Sequence, residues 1–334
     1  MEKIKNKIAE INAEYLPGQA AHWTGRSSNP AIGKQYWHQA IELWDITHLK
    51  KEEEIAIALV GYKCDEGVRR NLGRVGAKQG PLALREKLAK LPLHFDSIRV
   101  GDFGDITCIE HDMESCQKAF SIIISQLISQ HIFTIGIGGG HDMAYAHFMG
   151  IHEAVKHTAK NKIGIINFDA HFDLRPVESQ PNSGTPFNQI ISELKQSNET
   201  LSYFAIGIQQ QSNTIALFEI AQKEQVDFVT NFECDSSVLE IQNLQKKLAP
   251  FIEANDYLYI TIDLDGFSSA FAPGVSAPSP LGFNPNFMFK LLQFLFDTKK
   301  VISCDIAELN PTLDSDNLTA NLAAKLVDFM VCIK

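Results

Sequence analysis

Apolar residues along this chain fall into two recurring patterns. Short runs that are apolar at nearly every position, such as Ile-Gly-Ile-Ile-Asn-Phe at 163–168, alternate with longer stretches whose apolar residues recur every three or four positions. A continuous apolar run marks a strand buried on both faces, as in a parallel sheet. Strands are therefore expected at Ile55–Val60, Ile98–Val100, Phe133–Ile137, Ile163–Phe168, Tyr203–Ile208, Asp227–Thr230, Leu258–Ile262 and Val301–Ile306. Helices are expected between them. Glu114–Gln130 puts Ala119, Ile122, Ile123 and Leu127 on one face, and Pro81–Leu91 opens with a proline suited to a first helical turn. Asn284–Phe296 and Leu318–Val331 keep the same spacing. Strand and helix alternating about eight times make a doubly wound α/β sheet.

Neither a repeat nor a long linker interrupts this alternation, so the 334 residues are expected to form one domain, with about 1–50 as an N-terminal extension packing on the core. Within that extension Trp37 and Trp44 suit either an interface or a cap on the core.

Composition mainly excludes. The net charge is −10 and there is no basic run, which argues against a nucleic-acid binder. The six cysteines form no CxxC pair, so a zinc ribbon is not indicated and a reducing compartment fits. The N-terminus has no apolar signal region, and no apolar stretch approaches the roughly 20 residues of a spanning helix. A cytoplasmic protein without membrane association is expected.

The chemistry lies at the strand ends, where ligands of open α/β sheets bind. Four predicted strands run into GGGHD (138–142), DAHFD (169–173), DLD (263–265) and an Asp305–Glu308 segment. Residues two apart on extended chain point the same way, so Asp169, His171 and Asp173 project together, as do Asp263 and Asp265. With His141 these make six ionisable groups at one edge. So many carboxylates repel one another and resist burial unless cations accompany them. Mixed carboxylate and imidazole ligands without thiolate suit Mn2+, Fe2+, Co2+ or Zn2+, and the predominance of oxygen favours Mn2+. Two such ions about 3.5–4 Å apart generate a hydroxide nucleophile at neutral pH. Taken singly, each piece has a plainer role: DxD is often a turn or cap, the glycines a tight turn, and one histidine structural. The conjunction at strand ends favours a metal site.

GGGHD, DAHFD and TIDLD (261–265) together resemble the three metal motifs of the ureohydrolase family, which includes arginase, agmatinase and formimidoylglutamase. The resemblance runs from about Trp23 to the end of the chain. It implies a three-layer α/β/α fold with an eight-stranded, mostly parallel sheet. It also implies one ion held by His141, Asp169, Asp173 and Asp263, and a second by Asp169, His171, Asp263 and Asp265, with Asp169 and Asp263 bridging. Glu308 matches the acidic residue that grips the amidine or guanidine group; a planar amidinium donates parallel N–H bonds that a carboxylate accepts bidentately.

Ser183, within NSGTPF (182–187), stands where arginase and agmatinase carry a histidine, and the segment resembles the formimidoylglutamase branch. DEGVRRNLGRVG (65–76), DLRP (173–176), APGVSAP (272–278) and WTGR (23–26) resemble it too. Asn188 departs from that branch, many members having arginine there. The resemblance implies hydrolysis of N-formimidoyl-L-glutamate to glutamate and formamide, with Asp265 returning a proton to the leaving nitrogen, or a water on Ser183 doing so. The substrate's two carboxylates call for cations, for which Arg69, Arg70, Arg74 and Arg175 are candidates, with Asn182 beside them. A homo-oligomer is implied as well. Two other readings stay open: an agmatinase or guanidino-acid hydrolase releasing urea, and an inactive metal-binding scaffold.

Overall fold

The computed structural model describes residues 8, 10–49, 54–95 and 97–334. All eight expected strands are present, and two further strands bring the sheet to ten. The strands are β1 (Ala13–Leu16), β2 (Glu42–Leu43), β3 (Ile57–Lys63), β4 (Val100–Cys108), β5 (Phe133–Ile137), β6 (Ile163–Phe168), β7 (Ser202–Ile208), β8 (Asp227–Thr230), β9 (Tyr257–Asp263) and β10 (Val301–Ala307). Their order is β1-β4-β3-β5-β10-β9-β6-β7-β8, with β2 beside β4. Every pairing is parallel except that of β1 with β4. The two extra strands thus sit at one edge, outside the parallel core that the apolar runs predicted.

Helices cover both faces, and each face has its own apolar core. Met113–Ile128 begins where the Asp112 side chain accepts the Ser115 N–H, satisfying a donor that the first turn leaves free. Pro285–Asp297 begins with Pro285 after Asn284, whose side chain accepts the Phe287 N–H at 3.0 Å. That helix buries Phe287, Met288, Leu291, Leu292 and Leu295 against the sheet, each contributing roughly 1.5–3 kcal/mol. No described helix is long and apolar enough to cross a membrane.

Strand β4 shares only Val100 with the expected Ile98–Val100 and runs on to Cys108 through Gly-Asp-Phe-Gly-Asp. Asp102 and Asp105 are buried there because Arg85, itself wholly buried, donates to them at 2.8 and 2.6 Å. Trp23 adds an indole N–H to Asp102 at 2.7 Å. Trp37 is also buried, its Nε1–H donating to Asp328 at 2.7 Å.

Four strands that are adjacent in the sheet, β5-β10-β9-β6, carry the four chemistry-bearing segments at their carboxyl ends. Motifs far apart in the chain therefore meet at one rim.

Candidate metal centre

The glycines after β5 let the backbone fold tightly onto its neighbours. A Cβ on Gly139 would lie 1.8 Å from the Cys64 carbonyl oxygen, and the Gly139 carbonyl accepts the Glu308 N–H at 2.8 Å. This turn delivers His141 into the rim. His141 Nδ1 lies 2.9 Å from Asp173 Oδ2, 3.2 Å from Asp169 Oδ2 and 3.3 Å from Asp263 Oδ2. Beside this set, His171 Nδ1 lies 3.1 Å from Asp265 Oδ2 and 3.4 Å from Asp169 Oδ1.

In Asp263 the turn-forming and ligand roles fall on different oxygens, whereas in Asp169 the turn-forming Oδ1 also faces His171. Asp263 Oδ1 accepts the Asp265 N–H at 2.8 Å while Oδ2 faces His141. Asp169 Oδ1 likewise accepts the His171 N–H at 2.7 Å. The side chain of Asn213 holds the same loop, accepting from the Phe172 N–H and donating to the Ala170 carbonyl. Asp173 and Glu308 both adopt left-handed backbone, with φ of 49° and 69°, a conformation that costs a non-glycine residue about 1–3 kcal/mol and clusters at functional sites.

Two ligand sets emerge: His141, Asp169, Asp173 and Asp263, and beside it Asp169, His171 and Asp265. The six residues expected as ligands all fall within these two groups. Asp169 belongs to both sets, and Asp263 falls in the first, beside Asp265 of the second.

Electrostatically the cluster demands cations. Burial, together with Asp265 and Asp169, pushes Asp263 well above the usual carboxylate range. Burial pushes Asp265 up to about 6, and Glu308 up to about 8 with help from Asp265. Burial works against protonated His141, yet the carboxylates of Asp169 and Asp173 raise it well above an ordinary imidazole. Glu308 Oε1 accepts the His141 N–H at 2.9 Å, whereas its buried Oε2 has no hydrogen-bond partner. Oxygen-rich, charge-crowded and flanked by two imidazoles, the residues fit a pair of divalent ions.

A cavity of about 310 Å3 opens over the two sets, with Glu308, Ser183, Arg74 and Arg175 in its wall. Arg74 donates to the carbonyls of Ser276 and Val275, both at 2.9 Å. Arg175 donates to Asn71 Oδ1 at 2.8 Å, and Asn71 donates to Ser183 Oγ at 3.1 Å. Asn71, in the cavity wall, carries no sequence signal of its own within DEGVRRNLGRVG, where the charged arginines stand out.

Three candidate substrate-binding residues lie outside the wall of this cavity, in the wall of the one beside it. Arg69 and Arg70 do not line this cavity. Glu66 takes Arg69 at 2.5 Å and Arg70 at 2.9 Å, and Glu114 takes Arg70 at 2.6 Å. Asn182 shapes a turn, its Oδ1 accepting the Gly184 N–H at 2.9 Å, and faces the neighbouring cavity. Asn188 likewise lies outside the metal cavity and donates to the Leu174 carbonyl at 3.2 Å.

The profile of the Arginase family matches residues 55–332. The chain belongs to the arginase family. Among curated arginase-family relatives, a formimidoylglutamase from Geobacillus sp. (strain WCH70) is 41% identical over 304 residues, covering 90% of this chain and 91% of the relative. A Trypanosoma cruzi formiminoglutamase variant solved with Mn2+ superposes with a TM-score of 0.73 at 25% identity, over 86% of this chain and 96% of the other. The Bacillus subtilis formimidoylglutamase shares the fold, with a TM-score of 0.78 at 22% identity over 92% and 94% of the two chains.

Proposed function

We propose that this arginase-family chain is a two-metal hydrolase that cleaves N-formimidoyl-L-glutamate to L-glutamate and formamide, with Mn2+ as its metal. The observation that carries the reading is the unpartnered, buried carboxylate oxygen of Glu308 beside two metal-ligand sets. The curated formimidoylglutamase relatives support the choice of amidine.

In this reading His141, Asp169, Asp173 and Asp263 hold one ion, and Asp169, His171 and Asp265 the other. When bound, the pair supplies the nucleophile by lowering the pKa of water towards neutrality. Glu308 binds and orients the amidinium: it accepts two parallel N–H donors, and the His141 N–H at 2.9 Å keeps its carboxylate in place. Arg74 and Arg175 in the cavity wall face the substrate's carboxylates. Asp265, beside His171 at the rim, would take up the proton released when water is activated and pass it to the leaving nitrogen.

The Asn71-bound hydroxyl of Ser183 is the other candidate for that proton step. Ser183→Ala decides between them: kcat within about 2-fold of wild type leaves the step with Asp265, while a loss on the order of 10^2-fold transfers it to Ser183.

A product assay tests the whole reading. The Mn2+-loaded protein, given N-formimidoyl-L-glutamate, arginine, agmatine and guanidinobutyrate separately, should release formamide from the first and urea from none. Formamidine, which lacks both carboxylates, should react with kcat/KM lower by about 10^2-fold, the worth of one or two charge-assisted hydrogen bonds. Urea from a guanidino compound would sink the substrate assignment, and no turnover of any amidine would favour the scaffold reading.

The proposal takes the chain as one domain with about 1–50 as an extension, consistent with Trp23 and Trp37 buried against later residues. It also places the enzyme in the cytoplasm, without a nucleic-acid partner and as a homo-oligomer. The exposed side chains of Phe232, Val238 and Leu239 supply apolar surface for such an assembly.

A further inference from the structure

Below the ligand sets, away from the cavity, a line of buried polar groups runs from His141 into the core. His141 Nε2 lies 2.9 Å from Thr261 Oγ1, and the Thr261 hydroxyl donates to Asp305 Oδ1 at 2.6 Å. Asp305 has no solvent exposure. Its Oδ2 accepts the Tyr259 hydroxyl and lies 2.6 Å from His147 Nδ1. The other ring nitrogen of His147 lies 2.6 Å from Ser303 Oγ. None of these groups behind His141 lines the cavity, so none touches substrate. A carboxylate buried this deeply costs several kcal/mol unless its partners compensate.

Counting protons shows what the line accomplishes. The Asp305 carboxylate only accepts, and a threonine hydroxyl has one proton. That proton goes to Asp305, so Thr261 Oγ1 must accept from His141 Nε2. The imidazole then carries its hydrogen on Nε2, and the Nδ1 lone pair points at Asp169, Asp173 and Asp263. A histidine binds metal through its bare nitrogen, and the partner of the other nitrogen decides which one is bare.

We propose that Asp305 is a positioning residue for the metal centre: acting through Thr261, it holds His141 in the tautomer and orientation that present Nδ1 to one of the two ions. The inference rests on the metal-site reading above. It concerns a single ion, because His171 makes its ring contacts within the cluster, to Asp169 and Asp265.

The test is Mn2+ titration of the full-length chain by calorimetry, paired with electron paramagnetic resonance, on wild type, Thr261→Val, Thr261→Ser and Asp305→Asn. Wild type should bind two ions and show the exchange-coupled signal of a close pair. Thr261→Val keeps the side-chain volume and breaks the relay; one ion should weaken by about 10- to 100-fold, and the coupled signal should give way to that of an isolated ion. Thr261→Ser keeps the hydroxyl and should bind like wild type. Asp305→Asn should follow Thr261→Val; if it fails to fold, the two Thr261 variants still decide. Two ions held by Thr261→Val as tightly as by wild type would overturn the proposal. So would equal losses in Thr261→Ser and Thr261→Val, which would mean packing. A wild-type chain that binds no Mn2+ would instead overturn the metal-site reading itself.

Discussion

Glu308→Gln should lower kcat/KM for N-formimidoyl-L-glutamate by about 10^2- to 10^3-fold while the protein still binds two Mn2+. The side chain contributes to neither ligand set, so metal stoichiometry should be untouched. Glutamine can still accept the His141 N–H, which Oε1 now does at 2.9 Å, so the local backbone is kept. What is lost is the second oxygen, now buried without a partner. In its place an amide NH2 would point at a cationic amidinium. Two charge-assisted hydrogen bonds are worth about 3–4 kcal/mol between them, or two to three decades in rate. Titrating Mn2+ alongside steady-state kinetics checks both halves. A loss below about 5-fold, or loss of an ion, would remove Glu308 from the substrate-gripping role.

The second large effect is expected at Asp169, the residue common to both ligand sets. Asp169→Asn should abolish turnover, by 10^4-fold or more, since neither ion keeps its full ligand set and the nucleophile at neutral pH is lost. Stability should separate this effect from misfolding. Without metal, five neighbouring carboxylates repel one another, and burial drives Asp263 and Asp265 up. Against its burial, Asp169 is held below the usual carboxylate range by its bonds to His141 and His171, so the metal-free variant should melt somewhat lower than metal-free wild type and the response to metal is the deciding comparison. Mn2+ at 100-fold over its dissociation constant stabilises the native state by about 2.7 kcal/mol per site. Thermal melts with and without Mn2+ should therefore show a rise for wild type and little or none for Asp169→Asn. An equal rise in both would show that Asp169 is dispensable for binding.

Most of the fold and the clustering of six candidate ligands were legible in the sequence, and the gaps have physical reasons. Parallel strands buried on two faces announce themselves as apolar runs, as β5 and β6 do. β1 and β2 are short edge pieces of four and two residues with no such signature. In β4, Gly101, Asp102, Gly104 and Asp105 look like breakers; Arg85, 17 and 20 residues earlier, with Trp23, makes those aspartates tolerable in the core. Ligands were legible because they cluster at strand ends in close spacing. The arginines were not, because an arginine's task depends on which acid reaches it: Glu66 claims Arg69 and Arg70, leaving Arg74 and Arg175 in the cavity wall. The relay behind His141 was invisible for the same reason, since Thr261, Asp305 and His147 meet only across three elements.

The interleaving of strands has a bearing on how the molecule is made. β10 lies between β5 and β9, although about 160 residues of chain separate it from β5. Non-local pairings of this kind are reached late, after long loops have closed. Emerging from the ribosome, the chain offers His141 first, then the two aspartates and the histidine that follow β6, and only much later Asp263, Asp265 and Glu308. Early in synthesis there is no pocket in which to trap a stray cation. The clustered rim and the finished topology therefore arrive together.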